Sequence, residues 1–334
     1  MNTNSKVWLA MGIFLAIIIS LCIFMVLSMP RGRFYIGPGT ATLRHTTNLV
    51  IDSKTEIDLT AYDDNVHFLR SDSNELVIKE YYESAGKKAD IRQTGNRVFI
   101  QGEQLIHLLS FGGMGENRIE VYLPSDYAGN MEINLSSGTI KSDIDFSADK
   151  LSFKANSGNV NLRNLIAGNI SIRVSSGSIY ANELRGETMI KANSGTIKLG
   201  SVYGAVDVDV TSGSVNIGNL QGRANIDASS GSITVTNVVG SIRAKANSGT
   251  IKIGVSELAG DVNVTASSGS INIDLPKDSS FNFTADTSSG SIRTDFDNNL
   301  SFNSRGNFAS GTVGNNPVHS VKLDTKSGSV RVSR

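Results

Sequence analysis

The side chains that could do chemistry in this sequence are few, and their spacing argues against most of it. The four histidines, His45, His67, His107 and His319, are far apart in the chain. None has metal-ligand spacing with another histidine, a cysteine or a carboxylate. Ser147-Ala148-Asp149-Lys150 has the S-x-x-K spacing of an acylating serine with a lysine base. That motif needs a helix start and companion segments that do not accompany it here. Gly112-Gly113-Met114-Gly115-Glu116 is similar to a calcium-binding nonapeptide, but it occurs once and lacks the aspartate, whereas that mechanism depends on repetition. The carboxylates Asp207, Asp209, Asp227 and Asp261 fall in neighbouring repeats, the placement a polysaccharide-cleaving β-helix would use. They read as lying outside any one column, with Lys, Arg, Asn and Ser as column mates and no pair set up for acid–base work. Tyr180 and Tyr203 stand nearly alone as sugar-stacking rings. No catalytic, cofactor-binding or metal-binding residue is assigned, and no cofactor is expected.

The elements that would have to position such groups come from a repeat. Residues 173–262 can be written as five lines of 18, each with a Ser-Gly pair at the same place: Ser176-Gly177, Ser194-Gly195, Ser212-Gly213, Ser230-Gly231 and Ser248-Gly249. The series continues less regularly to Ser137-Gly138 and Ser157-Gly158 before it, and to Ser268-Gly269, Ser289-Gly290 and Ser327-Gly328 after it. Two residues past each glycine stands a β-branched residue, from Ile140 and Val160 through Ile233 to Val330. Before the corner, Val206, Val208 and Val210 alternate with polar residues. Period-2 alternation of β-branched residues marks strands. A second glycine, at Gly186, Gly204, Gly222 and Gly240, turns each unit again.

Identical columns are what a solenoid requires, since equivalent residues stack about 4.8 Å apart and bury a continuous apolar column. The expected fold is therefore all-β: a single-chain β-solenoid of about 18–21 residues per coil, right-handed because parallel crossovers prefer that hand. Ten coils would make a rod of roughly 50 Å. The corner serines could form a ligand-binding hydroxyl ladder. The reading adopted is structural, with hydroxyls and the Asn column at 156, 193 and 247 satisfying turn backbone groups.

Balanced charge, 31 basic against 31 acidic residues, leaves no basic footprint for nucleic acid. The one cysteine, Cys22, lies in an apolar run, so no disulfide framework or thiol metal site can form within one chain. Residues 7–29 carry no charge over 23 positions, the length of a membrane-spanning helix. The run continues past Cys22, Leu21 is too large for a lipoprotein site, and no small-residue cleavage site follows, so an uncleaved anchor is expected. Lys6 flanks one side and Arg31, Arg33 and Arg44 the other, a balance that by itself would keep the large domain in the cytoplasm. Long domains translocate largely regardless of such charges, and a cysteine-free, Ser/Thr/Asn-rich solenoid suits export. The expected location is the cell membrane, single-pass, with the solenoid extracytoplasmic.

The domain plan is then a tail over 1–6, a transmembrane helix over 7–29, a linker over 30–48 and a β-solenoid over 49–334. Within the solenoid, 49–130 forms irregular opening coils, 131–295 regular Ser-Gly coils and 296–334 closing coils. The loop LIHLLSFGGMGEN at 105–117 is expected to cover one end of the stack. Phe281, Phe283 and Phe296 point to wider coils at the other end, 303–320 to a polar insertion, and VKLDTKSGSVRV to the coil that closes the stack.

A strand-rich opening, Tyr122-Leu123-Pro124, serial Ser-Gly-Ser/Thr-Ile coils, GTVGNNP and a final TKSGSVRV together resemble the putative-adhesin, β-strand-repeat family of domains of unknown function, including LiaG-like membrane-anchored bacterial proteins. The resemblance covers about residues 49–334 and implies a bacterial envelope protein, linked in some members to envelope stress, with no catalytic residues to carry over. The functional expectation is a non-enzymatic, surface-displayed adhesin-like or structural module. Its partners would be the membrane and a cell-wall polymer or envelope protein, with no nucleic acid and no small-molecule substrate. A polysaccharide-active β-helix enzyme and a membrane-tethered regulator of a signalling partner are the alternatives.

Overall fold

A computed structural model describes residues 40–84, 86–103 and 117–334. The anchor expected at 7–29, the tail before it and most of the linker after it lie outside the described residues, as does nearly all of the loop expected at 105–117. Among the described residues the structure is strands, turns and one short 3-10 turn, Asp297–Asn299.

The middle of the chain is a parallel stack in register. Phe146–Ser157, Val160–Ser176, Ile179–Ser230 and Ile233–Ser248 pair side by side, each Ser-Gly corner on the next, with Ser157 opposite Ser176, Ser176 opposite Ser194 and Ser230 opposite Ser248. Three apolar columns run through it. One is Ile133, Phe153, Ile172 and Ile190, continued by Val208 and Ile226; the second is Ile140, Val160, Ile179, Ile197, Val215 and Ile233; the third holds Leu165, Leu184, Val202, Leu220 and Val238. All of these side chains are buried. The solenoid expected from the columns is the architecture observed.

The glycine corner has a stricter cause than backbone freedom. From Gly158 to Gly269 the corner glycines have φ between +130° and +146°. A Cβ on any of them would lie 1.6–1.8 Å from the carbonyl oxygen of the glycine one coil back. The corners also close through backbone: Gly158 N–H donates to the Ser176 carbonyl, Gly177 N–H to Ser194 and Gly231 N–H to Ser248, at 2.8–3.1 Å. The serine hydroxyl, expected to satisfy turn groups, is not what satisfies the glycine N–H. On another edge, side-chain amides form a short ladder: Asn219 donates to Ser201 at 3.1 Å and Asn237 to Asn219 at 2.8 Å, and Ser256 to Asn237 at 3.3 Å.

Both ends depart from chain order. At the carboxy end, Val262–Ser268 pairs with Ser320–Ser327, which in turn pairs with Phe281–Ser289; Ile271–Asp274, Val330–Ser333 and Ile292–Thr294 follow the same sequence. The last coil of the chain is thus inserted inside the one before it. VKLDTKSGSVRV keeps the phase, Gly328 stacking on Gly269, but does not lie outermost. Phe281, Phe283 and Phe296 sit at this end with edge-to-face contacts, centroids 5.3 Å apart for Phe281 and Phe296. They fill the terminal layer. Antiparallel strands Phe308–Val313 and Leu300–Phe302 finish the end, so the stretch expected as a polar insertion contains a strand.

The amino end uses the same device. Met131–Ser137 pairs with Glu56–Ala61, and Arg97–Gln101 lies outside that; Asn65–Arg70 lies between Ile140–Ser142 and Arg118–Leu123. Three antiparallel strands cover it: Asp90–Thr94 on Arg97–Gln101, and Glu75–Tyr82 on Arg118–Leu123 followed by Thr42–Val50. The linker expected to run to residue 48 therefore ends earlier. TLRHTTNLV is an edge strand with both faces partly exposed, so it lacks the apolar alternation that marks a half-buried strand. Antiparallel, bulged or polar outer strands protect the edges of an open stack.

Candidate functional site

The outward face of the coils before each Ser-Gly corner carries the longest ordered set of polar side chains. Strand alternation sends Val206, Val208 and Val210 inward and Asp207, Asp209 and Thr211 outward. With an 18-residue step between coils, the outward positions form columns. One runs Lys154, Arg173, Lys191, Asp209, Asp227, Lys245, Thr265 and, through the exchanged end coils, Asp324 and Asp286. Asp209 and Asp227 therefore do share a column, contrary to the expectation from the sequence, because the 18-residue period puts them on successive coils. Asp207 and Asp261 lie in other columns. Lys191 bonds Asp209 at 2.8 Å, both side chains about half exposed.

Two shallow grooves lie on this face. Asp207, Arg223, Asn225, Arg243, Asp261 and Asn263 line the first; Asp209, Thr211, Asp227, Ser229, Lys245 and Asn247 line the second. Asp261 accepts hydrogen bonds from the Ser320 N–H at 2.8 Å and hydroxyl at 3.0 Å, which hold its carboxyl below the usual range. The face can offer both charge signs and paired donors and acceptors at coil spacing, which suits an extended polar ligand bound by repeated contacts.

The other candidate residues sort by position. His67 is brought to Asp143, 76 residues away, with Nε2 2.6 Å from the carboxylate, and Lys141 Nζ lies 3.1 Å from the same oxygen. Burial would raise the Asp143 carboxyl, but these hydrogen bonds outweigh it and hold it low. Ser147–Lys150 lies within the strand Phe146–Ser157, so the helix start that S-x-x-K chemistry needs is replaced by extended chain. His107 and Gly112–Glu116 lie outside the described residues. Among the described residues no group of three or more His, Cys, Asp or Glu side chains could hold a metal ion.

A second polar cluster, missed in the sequence, is buried at the amino end. Asp64 and Glu80 have no exposure and Lys87 has 2%, with Lys87 Nζ 2.5 Å from Asp64 Oδ1. By register, Ala61 pairs with Leu135 and Val66 with Ile140, so Asp64 occupies the corner place that Gly138 takes one coil on. The signal available in the sequence was this break in the glycine column, at Tyr62-Asp63-Asp64-Asn65. Nearby, Glu120 accepts from Arg118 Nε at 2.9 Å and from the Tyr122 hydroxyl at 2.8 Å. Burial raises the Glu120 carboxyl, yet these bonds bring it below the usual range, while burial and Glu120 push Tyr122 up to about 12.

Among solved structures, the chain is similar to a putative adhesin from Bacteroides fragilis NCTC 9343, at 12% identity, covering 89% of this chain and 100% of that one, with a TM-score of 0.34. A putative cell adhesion protein from Clostridium sporogenes ATCC 15579 matches at 11% identity, with 86% and 98% coverage and a TM-score of 0.20. A putative lipid binding protein from Parabacteroides distasonis ATCC 8503 matches at 14% identity, with 89% and 98% coverage and a TM-score of 0.30. No curated protein matches the sequence. The family model for Toastrack DUF4097 matches residues 54–235 and again 218–333, the whole of the glycine-cornered stack and most of its amino-terminal cap, and the chain belongs to that family.

Proposed function

We propose that this chain is a non-enzymatic, adhesin-like module of the bacterial cell envelope, tethered to the membrane by residues 7–29 and displayed outside it. The observation that supports this reading is the outward column Lys154, Arg173, Lys191, Asp209, Asp227, Lys245, which presents both signs of charge along one face at a constant step. Such a face binds an extended polar partner, a cell-wall polymer or an envelope protein, through many weak contacts. No single deep pocket is needed. A link to envelope stress belongs to the same reading, through the family the sequence resembles.

The test is in two steps. Protease added to intact cells should remove the solenoid; protection until the membrane is opened would place it inside and favour a cytoplasmic signalling partner. The full chain should then co-sediment with isolated cell wall or envelope, and K191A/D209A/D227A/K245A should abolish this while leaving the thermal transition in place. Unchanged sedimentation of that variant would sink the face as the binding surface.

One observation favours a second reading, a polysaccharide-active enzyme. Asp209 and Asp227 stand one coil apart, about the 5 Å that separates the carboxylates of a retaining glycosidase. The ion pair with Lys191 engages Asp209 and weighs against it. Release of reducing ends from wall polymer that D227N eliminates would establish the enzyme.

A further inference from the structure

The buried cluster at the amino end carries an inference that goes beyond the adhesin-like reading. Its members come from three places: Asp64 from the corner between Glu56–Ala61 and Asn65–Arg70, Glu80 and Tyr82 from the covering strand Glu75–Tyr82, and Lys87 from the turn that leads into Asp90–Thr94. Lys87 Nζ is 2.5 Å from Asp64 Oδ1 and 5.0 Å from the centroid of the Tyr82 ring. Glu80 Oε2 accepts from the Ala89 N–H at 2.6 Å. Among the described residues, three buried polar atoms of this cluster have no partner: Asp64 Oδ2, Glu80 Oε1 and the Tyr82 hydroxyl. A Cβ on Gly102 would stand 3.2 Å from Asp64 Oδ2, so backbone closes that side. An ion pair removed from water this completely is costly, and orphaned acceptors beside it add to the cost. The arrangement lacks a rationale as an ion pair and has one as a reactant pair.

We propose that Lys87 and Asp64 condense after folding into an intramolecular amide, with Glu80 as the group that relays the proton. Burial raises the Asp64 carboxyl toward its acid form. A proton passes from the ammonium to the carboxylate, leaving an amine against a carboxylic acid. The amine lone pair attacks Asp64 Cγ, forming the C–N bond. The Glu80 carboxylate takes a proton from that nitrogen and returns it to the departing oxygen, and the C–O bond breaks. The net change is ammonium plus carboxylate to amide plus one water, with no oxidant or reductant. The product removes two buried charges and one unpartnered oxygen. It also closes a covalent ring over residues 64–87 that clamps the covering strand Glu75–Tyr82 to the inner opening coil.

Intact mass of the purified full chain tests this. The expected mass is one water, about 18 Da, below that of the sequence, with a branched peptide joining the Asp64 and Lys87 segments. K87M should have full mass. E80Q should also have full mass while keeping the wild-type fold by circular dichroism, and E80D should restore slow water loss. D64N, if it reacts, loses ammonia, about 17 Da, instead of water. Full mass in the folded wild-type chain overturns the proposal, as does a water loss that persists in K87M or maps to Glu80. Water loss at wild-type rate in E80Q overturns the role given to Glu80.

Discussion

The regular coils and the amino-terminal cap solve the same packing problem by opposite means. Between residues 146 and 262 every interior position repeats, the corner is always glycine, and of the buried polar side chains only Thr188 falls there. The cap has Asp64, Glu80, Lys87 and Glu120 buried within residues 64–120, antiparallel cover strands and exchanged coil order. A middle coil has an identical neighbour on each side, so one set of side chains serves every layer. An end coil has none, and its surface must be closed by groups that occur once. Repetition builds the rod; irregularity stops it.

The comparison breaks most sharply at the glycines. Gly213 has φ +146° and a Cβ there would lie 1.7 Å from the Gly195 carbonyl oxygen, whereas Gly306, φ +68°, has open space. G213A should cost about 4 kcal/mol or more, enough to disrupt the stack. G306A should cost only about 1–2 kcal/mol, the penalty of left-handed backbone for a side chain. Urea unfolding of both variants checks this, and equal losses would show that strain rather than stacking governs the corner.

Next in size, I226A opens the apolar column between Val208 and Ala244 and should cost about 2–5 kcal/mol in the same experiment. Truncating a β-branched side chain at an exposed site instead, as in V318A, should leave stability within about 0.5 kcal/mol, since Val318 is 84% exposed.

Acid should probe the cap more than the coils. The Glu120 carboxyl is lowered in the fold, so its contribution is complete above the ordinary glutamate value of about 4.3 and is lost as pH falls through the lower folded value. Stability measured from pH 6 to pH 3 should therefore fall less steeply in E120Q, which starts lower and has no carboxylate to protonate. A slope unchanged by that substitution would remove Glu120 from the acid response. K191A, which breaks a half-exposed pair, should change stability by less than about 1 kcal/mol while weakening envelope binding.

The fold of the coils was legible because its causes are local. A β-branched residue two places past each glycine and alternation before it specify strand, face and corner, and an 18-residue period specifies the stacking partner. The candidate face was legible in part: Asp209 and Asp227 fall in neighbouring repeats with Lys and Arg among the column mates, but their shared column emerges only when the 18-residue step is applied to that pair rather than to all four carboxylates. The buried cluster was not legible. Asp64 and Lys87 are 23 positions apart, and neither periodicity nor spacing distinguishes them from solvated charges.

By itself, then, the sequence determined the repeating unit, the glycine corners and the three apolar columns, because those follow from side-chain volume and backbone conformation within one coil. Only the tertiary structure decided which segments lie at the ends, that the last coil slips inside its predecessor, and that an aspartate takes a glycine's place to meet a lysine. Those outcomes depend on which exposed strand edge captures which later segment, a competition among distant partners with similar local patterns, and local pattern carries no information about who wins it.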